Sequence, residues 1–259
     1  MSNSLKYWIE KFKIPPTGVL HAGAHLVQER DVYRQLGLEP VLWIEAHPKI
    51  AVEAKKLLEG YPGQRLINAA LWGISNHEIF LSEAGNEGSS SSLLELGLIT
   101  GSHPQVVRTG KFKVKTKTLE EILEANSDFC SGIHFLCVDT QGAEAEVIKG
   151  LGEKILQFEY ILAEVSIRRL YKGAVLFNDL TSQLSIKGFT LVASNINENT
   201  GWGDALYIRT QTMTTLGITQ ADYEHILTSE GTALATRFRY LLLRLGVPNN
   251  IVAKISRGH

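Results

Sequence analysis

Cysteine is scarce in this chain: of 259 residues only Cys130 and Cys137 are cysteines, too few for a disulfide framework. Cys137 lies inside the apolar run IHFLCVD, where a small buried side chain fits better than a crosslink, so the expected setting is a reducing compartment and, by default, the cytoplasm. An excess of either charge is also missing. Twenty-six Lys and Arg against 27 Asp and Glu leave a net charge of -1, without the broad basic surface that a general nucleic-acid grip requires. The N-terminal stretch MSNSLKYWIEKFKIPP alternates charges and has no unbroken apolar core, which argues against a signal peptide or a membrane span there. No internal repeat is visible.

What remains is a composition of 44% hydrophobic and 20% charged residues, suited to one large soluble domain with a buried core. A short amphipathic helix over Lys6 to Phe12 is stopped by Pro15-Pro16. Strands are then expected at Val19 to Ala22, Val41 to Glu45, Leu66 to Ala70 and Glu78 to Leu81, with helices at Val27 to Leu36 and Pro48 to Leu58 between them. Phe112 to Thr118 alternates as a half-exposed strand, and Thr118 is placed to cap a helix over Leu119 to Ala125. Further strands at His134 to Asp139, Tyr160 to Glu164, Thr190 to Ala193 and Ala205 to Ile208 surround helices at Ala143 to Leu151 and Val175 to Ile186. The predicted fold class is α/β: a doubly wound, seven-stranded, mostly parallel sheet with an antiparallel edge strand, spanning residues 1–210. Residues 211–259 read as a helical, basic extension: Leu234, Phe238, Leu241, Leu242 and Leu245 recur at helical spacing among Arg237, Arg239, Arg244, Lys254 and Arg257. Such a helix packs on its own domain, on a second subunit, or on an anionic membrane surface.

The segment from Gly18 to Pro48 reads as strand, glycine turn, helix and second strand ending in Glu45. A carboxylate about 20 residues after such a turn is where these folds hold a ribose diol. The turn, Gly23-Ala24-His25-Leu26, lacks the second and third glycines that bring a backbone up to a pyrophosphate. S-adenosylmethionine has a ribose and a charged tail but no phosphate, and one close approach at Gly23 with a diol acceptor at Glu45 suits it. A nicotinamide oxidoreductase would use the same Glu45, but the missing glycines and the lack of a Tyr-x-x-x-Lys pair weigh against it. A second cluster follows the strand FLCVD: Asp139, Gln141 and Glu144, with Glu164 ending the next strand, YILAEVS. Glu144 is also suited to complement a helix dipole, and Glu164 to pair with Arg168. The tract GNEGSSSSLLEL is a linker or an active-site loop that orders on binding.

The blocks GVLHAGAH, LWIEAHP, INAALWG, TLEEI, FLCVDTQGAEAEVIKG and GDALYIR, in this order between Gly18 and Arg209, closely resemble the FkbM-type S-adenosylmethionine-dependent methyltransferases. The resemblance implies a class I methyltransferase fold and transfer of a methyl group to a hydroxyl, commonly of a sugar, glycan or polyketide. It implies cofactor contacts at Gly23, Ala24 and His25 near the methionine end, at Glu45 and Ala46 near the ribose, and at Asn68, Ala69 and Ala70 beside the adenine. His21 stands where the family usually has an aspartate near the cofactor amino group, and Gln141, counted with Asp139 toward the cofactor, replaces a frequent glutamate. Asp139 is the first choice of general base and Glu144 the second, with His25 and His103 as outside choices. Ser91, Ser92, His103, Glu164 and Trp202 are expected to border the acceptor. Asp139 and Glu164 alone are too weak a ligand set to predict a metal. The alternative of a different class is a non-catalytic glycan-binding or assembly protein on the same fold. Base methylation of nucleic acid is disfavoured, since VDTQ stands where an Asn/Asp-Pro-Pro-aromatic tetrapeptide would be needed.

Overall fold

A computed structural model of the protein describes residues 2–85, 91–95, 97 and 108–223. His103 and, beyond residue 223, the expected basic extension lie outside the described residues. The chain begins with helix α1 (Ser2–Lys11), followed by β1 (Gly18–Ala22), α2 (Arg30–Gln35), β2 (Val41–Glu45), α3 (Pro48–Leu57) and β3 (Gln64–Asn68). Next come β4 (Ala70–Leu71), β5 (Glu78–Ala84), β6 (Arg108–Lys117), α4 (Leu119–Ala125) and α5 (Ser127–Cys130). The second half holds β7 (Ile133–Val138), α6 (Glu144–Lys149), β8 (Tyr160–Ser166), α7 (Phe177–Ile186), β9 (Phe189–Ser194), β10 (Trp202–Arg209) and α8 (Thr210–Leu216).

Seven strands form one sheet in the order β3-β2-β1-β7-β8-β10-β9. The first five run parallel, and β10 pairs antiparallel with β8 on one side and with the edge strand β9 on the other. Period-two alternation divides the strand residues between two cores. Leu20, Ala22, Leu42, Ile44, Leu136 and Val138 face α4, α6 and α7, whereas Val19, Val41, Trp43, Phe135 and Cys137 face α1, α2, α3 and α8. This is the layering that near-continuous apolar strands require, since both faces of a parallel sheet are covered. Among the described residues no helix is long and apolar enough to cross a membrane.

The strand expected over Leu66 to Ala70 is divided. Its first part is β3, and beyond Ala69 the two residues of β4 turn away to pair with β6. With β5, which pairs antiparallel to β6 through Phe80 and Lys113, they make a separate three-stranded sheet. The lysines of β6 are exposed, while Thr116 is buried and donates its hydroxyl to the Ile74 carbonyl. Thr118 caps α4 as expected, accepting the Glu121 N–H at 3.3 Å. The small sheet matters because it forms one side of the cleft described next.

Candidate functional site

The turn after β1 is built by glycine and tied to β2. Gly23, at φ 89°, and Ala24 both donate their N–H groups to the Ile44 carbonyl, at 2.9 and 3.0 Å. A Cβ on Gly23 would overlap the Asp139 carbonyl oxygen, so the glycine is required by the close passage of β1 and β7 as well as by its left-handed backbone. His25 and Val27 follow with φ of 43° and 48°, unusual for side-chain-bearing residues and the kind of backbone found at functional turns.

Glu45 holds this turn in place. Its Oε2 accepts the His25 N–H at 2.8 Å and its Oε1 the His47 N–H at 2.7 Å. Each oxygen keeps a second lone pair. Burial pushes its pKa up, and the two backbone hydrogen bonds pull it back. His47 caps α3 through Nδ1, which accepts the Ile50 N–H at 3.4 Å, so the ring proton sits on Nε2 and faces Glu83 Oε1 at 3.2 Å. With the His47 ring against the edge of Phe112, this pair fastens the small sheet to the end of β2.

Between these elements lies a partly open cleft at the carboxyl ends of the strands. Gly23, His25, Glu45 and Ala46 line one wall, and Asp139, Thr140 and Gln141 the other. Ile44, Ala69, Leu71 and Leu81 supply apolar surface, and Ser91, Ser92 and Leu93 cross it as a strap. The strap is anchored twice over: Ser82 and Ser92 exchange backbone hydrogen bonds (2.9 and 3.1 Å), and the Ser92 hydroxyl donates to the Gln141 carbonyl at 2.7 Å.

The turn after β7 carries the acidic groups. Glu144 Oε1 accepts the N–H groups of Thr140 and Gly142, both at 3.0 Å, and the Thr140 hydroxyl at 3.3 Å. Burial lifts its pKa to about 7 against the pull of these bonds. Gln141, at φ 54°, donates through Nε2 to Asp139 Oδ1 (2.7 Å) and Glu164 Oε2 (3.0 Å), and its Oε1 accepts the Tyr171 hydroxyl at 2.6 Å. Burial raises the Asp139 pKa, opposed by the Gln141 hydrogen bond. Glu164 is pushed well above the ordinary carboxylate range, first by burial and then by the charge of Asp139.

Gly23, His25, Glu45, Ala46, Ala69, Ser91, Ser92, Asp139 and Gln141 thus meet in one cleft. Other expected contacts lie elsewhere. His21 is 2% exposed, stacked on Trp43, with Nδ1 on the Tyr33 hydroxyl at 2.8 Å. Strand alternation turns it into the α2-side core rather than the cleft, and burial lowers its pKa to about 4. Ala24 is in that core too, and Ala70 is buried in β4. Asn68 does not line the cleft; its amide donates to the Glu45 and Ala46 carbonyls and closes the β2 end from outside. Glu144 braces its own turn instead of facing the cleft. Glu164 sits one layer behind the lining, opposite Asp204 in the β8–β10 register, and Arg168 does not pair with it, donating instead to the carbonyls of Glu198 and Asn199. Trp202, 39% exposed, opens β10 opposite Ser166, outside the lining. His47, Glu83, Thr140 and Tyr171 were not singled out by sequence. Only His47 had a local signal, its position just before Pro48 at a helix start.

The family model described as the methyltransferase FkbM domain matches residues 21–191. No curated protein matches the chain. Among solved structures, similarity extends to magnesium protoporphyrin IX methyltransferase from Synechocystis PCC 6803 with bound S-adenosylmethionine, at 11% identity over 80% of this chain and 77% of that one, with a TM-score of 0.46. A methyltransferase from Aquifex aeolicus aligns at 10% identity over 79% and 88%, TM-score 0.44. A protein of the NADB-Rossmann superfamily from Streptococcus agalactiae aligns at 13% identity over 95% and 88%, TM-score 0.46.

Proposed function

The chain belongs to the FkbM family of methyltransferases, and on that premise we propose that it methylates a hydroxyl oxygen of a sugar, a glycan or a polyketide-type molecule. The methyl donor is S-adenosylmethionine. When bound, it supplies an electrophilic methyl carbon on a positively charged sulfur. The observation that carries the reading is the character of the cleft: carboxylates on opposite walls, apolar surface between them, and neither lysine nor arginine among its described lining residues. Such a lining suits a cationic adenosyl ligand and disfavours the pyrophosphate of a dinucleotide.

Glu45 has lone pairs left for a ribose diol after accepting its two amides, and Ile44, Ala69, Leu71 and Leu81 offer surface to a planar base. Asp139 is the base for the acceptor hydroxyl, since it lines the cleft while Glu144 is engaged with its turn. A positioned base contributes typically ~10²–10⁴-fold, and the rest of the acceleration comes from holding the acceptor oxygen in line with the bond to be broken. Trp202 offers an exposed aromatic face on which a sugar stacks.

The reading is tested by calorimetric titration with S-adenosylmethionine, S-adenosylhomocysteine and NAD, on the protein and on Glu45→Ala. Both adenosyl compounds should bind and NAD should not, and Glu45→Ala should weaken binding by about 10–100-fold, the loss of one or two charge-assisted hydrogen bonds. Binding of NAD alone would return the oxidoreductase reading, and binding of none by a folded protein would favour the non-catalytic one. A panel of hydroxylated sugars and polyketides offered with methyl-labelled donor then tests the acceptor, and label incorporated on nitrogen or carbon alone would refute oxygen methylation.

A further inference from the structure

Asp139, just past β7, and Glu164, in β8, converge on a single side-chain amide. Gln141 Nε2 gives one hydrogen to each, at 2.7 and 3.0 Å. That amide is fixed from several sides: Oε1 holds the Tyr171 hydroxyl, the backbone carbonyl holds the Ser92 hydroxyl, and the backbone is left-handed. The bridge is neutral. Among the ion pairs of the described residues none joins a lysine or arginine to Asp139 or Glu164. Among the described residues, the charges that act on the pair include those of Asp204 on β10, Glu29 ahead of α2, Glu144 on α6 and His21 on β1. Three are acidic, and His21, with its pKa lowered to about 4, is uncharged at neutral pH. Two buried carboxyls this close, with acidic neighbours and a neutral bridge, do not both ionise.

We propose that Asp139 and Glu164 share one proton in the ligand-free protein and release it when a cationic ligand enters the cleft, so that the pair distinguishes charged methyl donor from neutral product. The proposal rests on the donor reading above. S-adenosylmethionine has a net charge of +1 through its sulfonium, whereas S-adenosylhomocysteine has none; their ribose, base and amino-acid parts are the same. Loss of the shared proton leaves Asp139 ionised and able to act as base. In the transfer the acceptor O–H bond breaks, its O–C bond forms, and the donor C–S bond breaks with its electrons passing to sulfur. The pair takes the acceptor proton. The charge in the cleft is therefore the same before and after transfer, and no step adds to the net charge held in the buried site. After the transfer the pair is back in its singly protonated state, which attracts a cation less strongly than the doubly ionised one, and this favours release of the product before fresh donor binds.

Proton release can be counted without an acceptor. Titrations of the full chain with S-adenosylmethionine and S-adenosylhomocysteine at pH 7, in buffers of different ionisation enthalpy, should show about one proton more released with the former. The affinity for S-adenosylmethionine should rise up to about tenfold per pH unit where the pair holds its proton, with a flatter profile for S-adenosylhomocysteine. Glu164→Gln removes the sharing partner and should abolish the difference, whereas Glu144→Gln, which removes the other nearby carboxyl of raised pKa, should keep it. If Glu164→Gln does not fold, the comparison of the two ligands on the unaltered chain still decides. Equal proton counts for the two ligands, or a difference that persists in folded Glu164→Gln, would overturn the proposal while leaving the donor assignment intact. Absence of binding by both would overturn the donor assignment and this proposal together.

Discussion

Glu144 surrounds one of its oxygens with two amides and a hydroxyl, yet burial still lifts its pKa to about 7. Its folded-state pKa is raised, so the folded protein keeps a proton that the unfolded chain has released above about 4.5. The stability this contributes is complete below that pH and is lost as pH rises through about 7. Glu144→Gln keeps an acceptor oxygen for the turn and removes the titration. Between pH 6 and 8 the unaltered protein should lose about 1 kcal/mol more than the variant in urea unfolding. The other raised carboxyls remain in both proteins, and their effect cancels in the comparison. A variant with the same pH slope as the parent would show that Glu144 is solvated. The same residue illustrates how far a spacing can be read. The motif brings Asp139, Gln141 and Glu144 to one turn, but not which carboxylate faces the ligand and which holds the loop.

At the scale of the element, the turn from β1 into α2 owes its shape to contacts on both of its sides. Gly23 is wedged against the Asp139 carbonyl, its N–H is taken by Ile44, and Glu45 bonds the next amide but one. Gly23→Ala introduces a Cβ where backbone already stands and strains a left-handed residue. It should therefore cost more than the ~1–3 kcal/mol of backbone strain alone, measured by denaturant unfolding. A smaller cost would mean that the β1 and β7 ends can separate. The glycine is legible in the sequence as a turn residue, but its reason is not. The chain that forbids a side chain there lies more than a hundred residues away.

The whole molecule is closed on one face by α1. Leu5, Trp8, Ile9 and Phe12 recur at helical spacing, and all four are buried against the face of the sheet that holds Trp43 and Phe135. This helix is far in sequence from the β9–β10 end that it also meets, where the Asn195 amide donates to the Ser4 hydroxyl. Trp8→Ala should cost about 3–5 kcal/mol by thermal or urea unfolding, as for other buried aromatic truncations, with adenosyl-ligand binding retained because the cleft opens on another side. A cost under 1 kcal/mol would mean that α1 is not part of the cooperative core. At the other end, Met213 of α8 is buried in the same core.

The sequence by itself determined the order of strands and helices, the glycine turn, the carboxylate that ends β2 and the acidic block after β7. These rest on short-range physics: period-two and period-3.6 patterning, the backbone needs of glycine, and the capping chemistry of Thr118. Only the tertiary structure decided which face His21 points to, that Leu66 to Ala70 serves two sheets, and that the Gln141 amide joins Asp139 to Glu164 with Tyr171 behind it. Those outcomes depend on residues 20 to 30 or more positions apart meeting across neighbouring strands. No local periodicity encodes such meetings; the path of the chain brings them about.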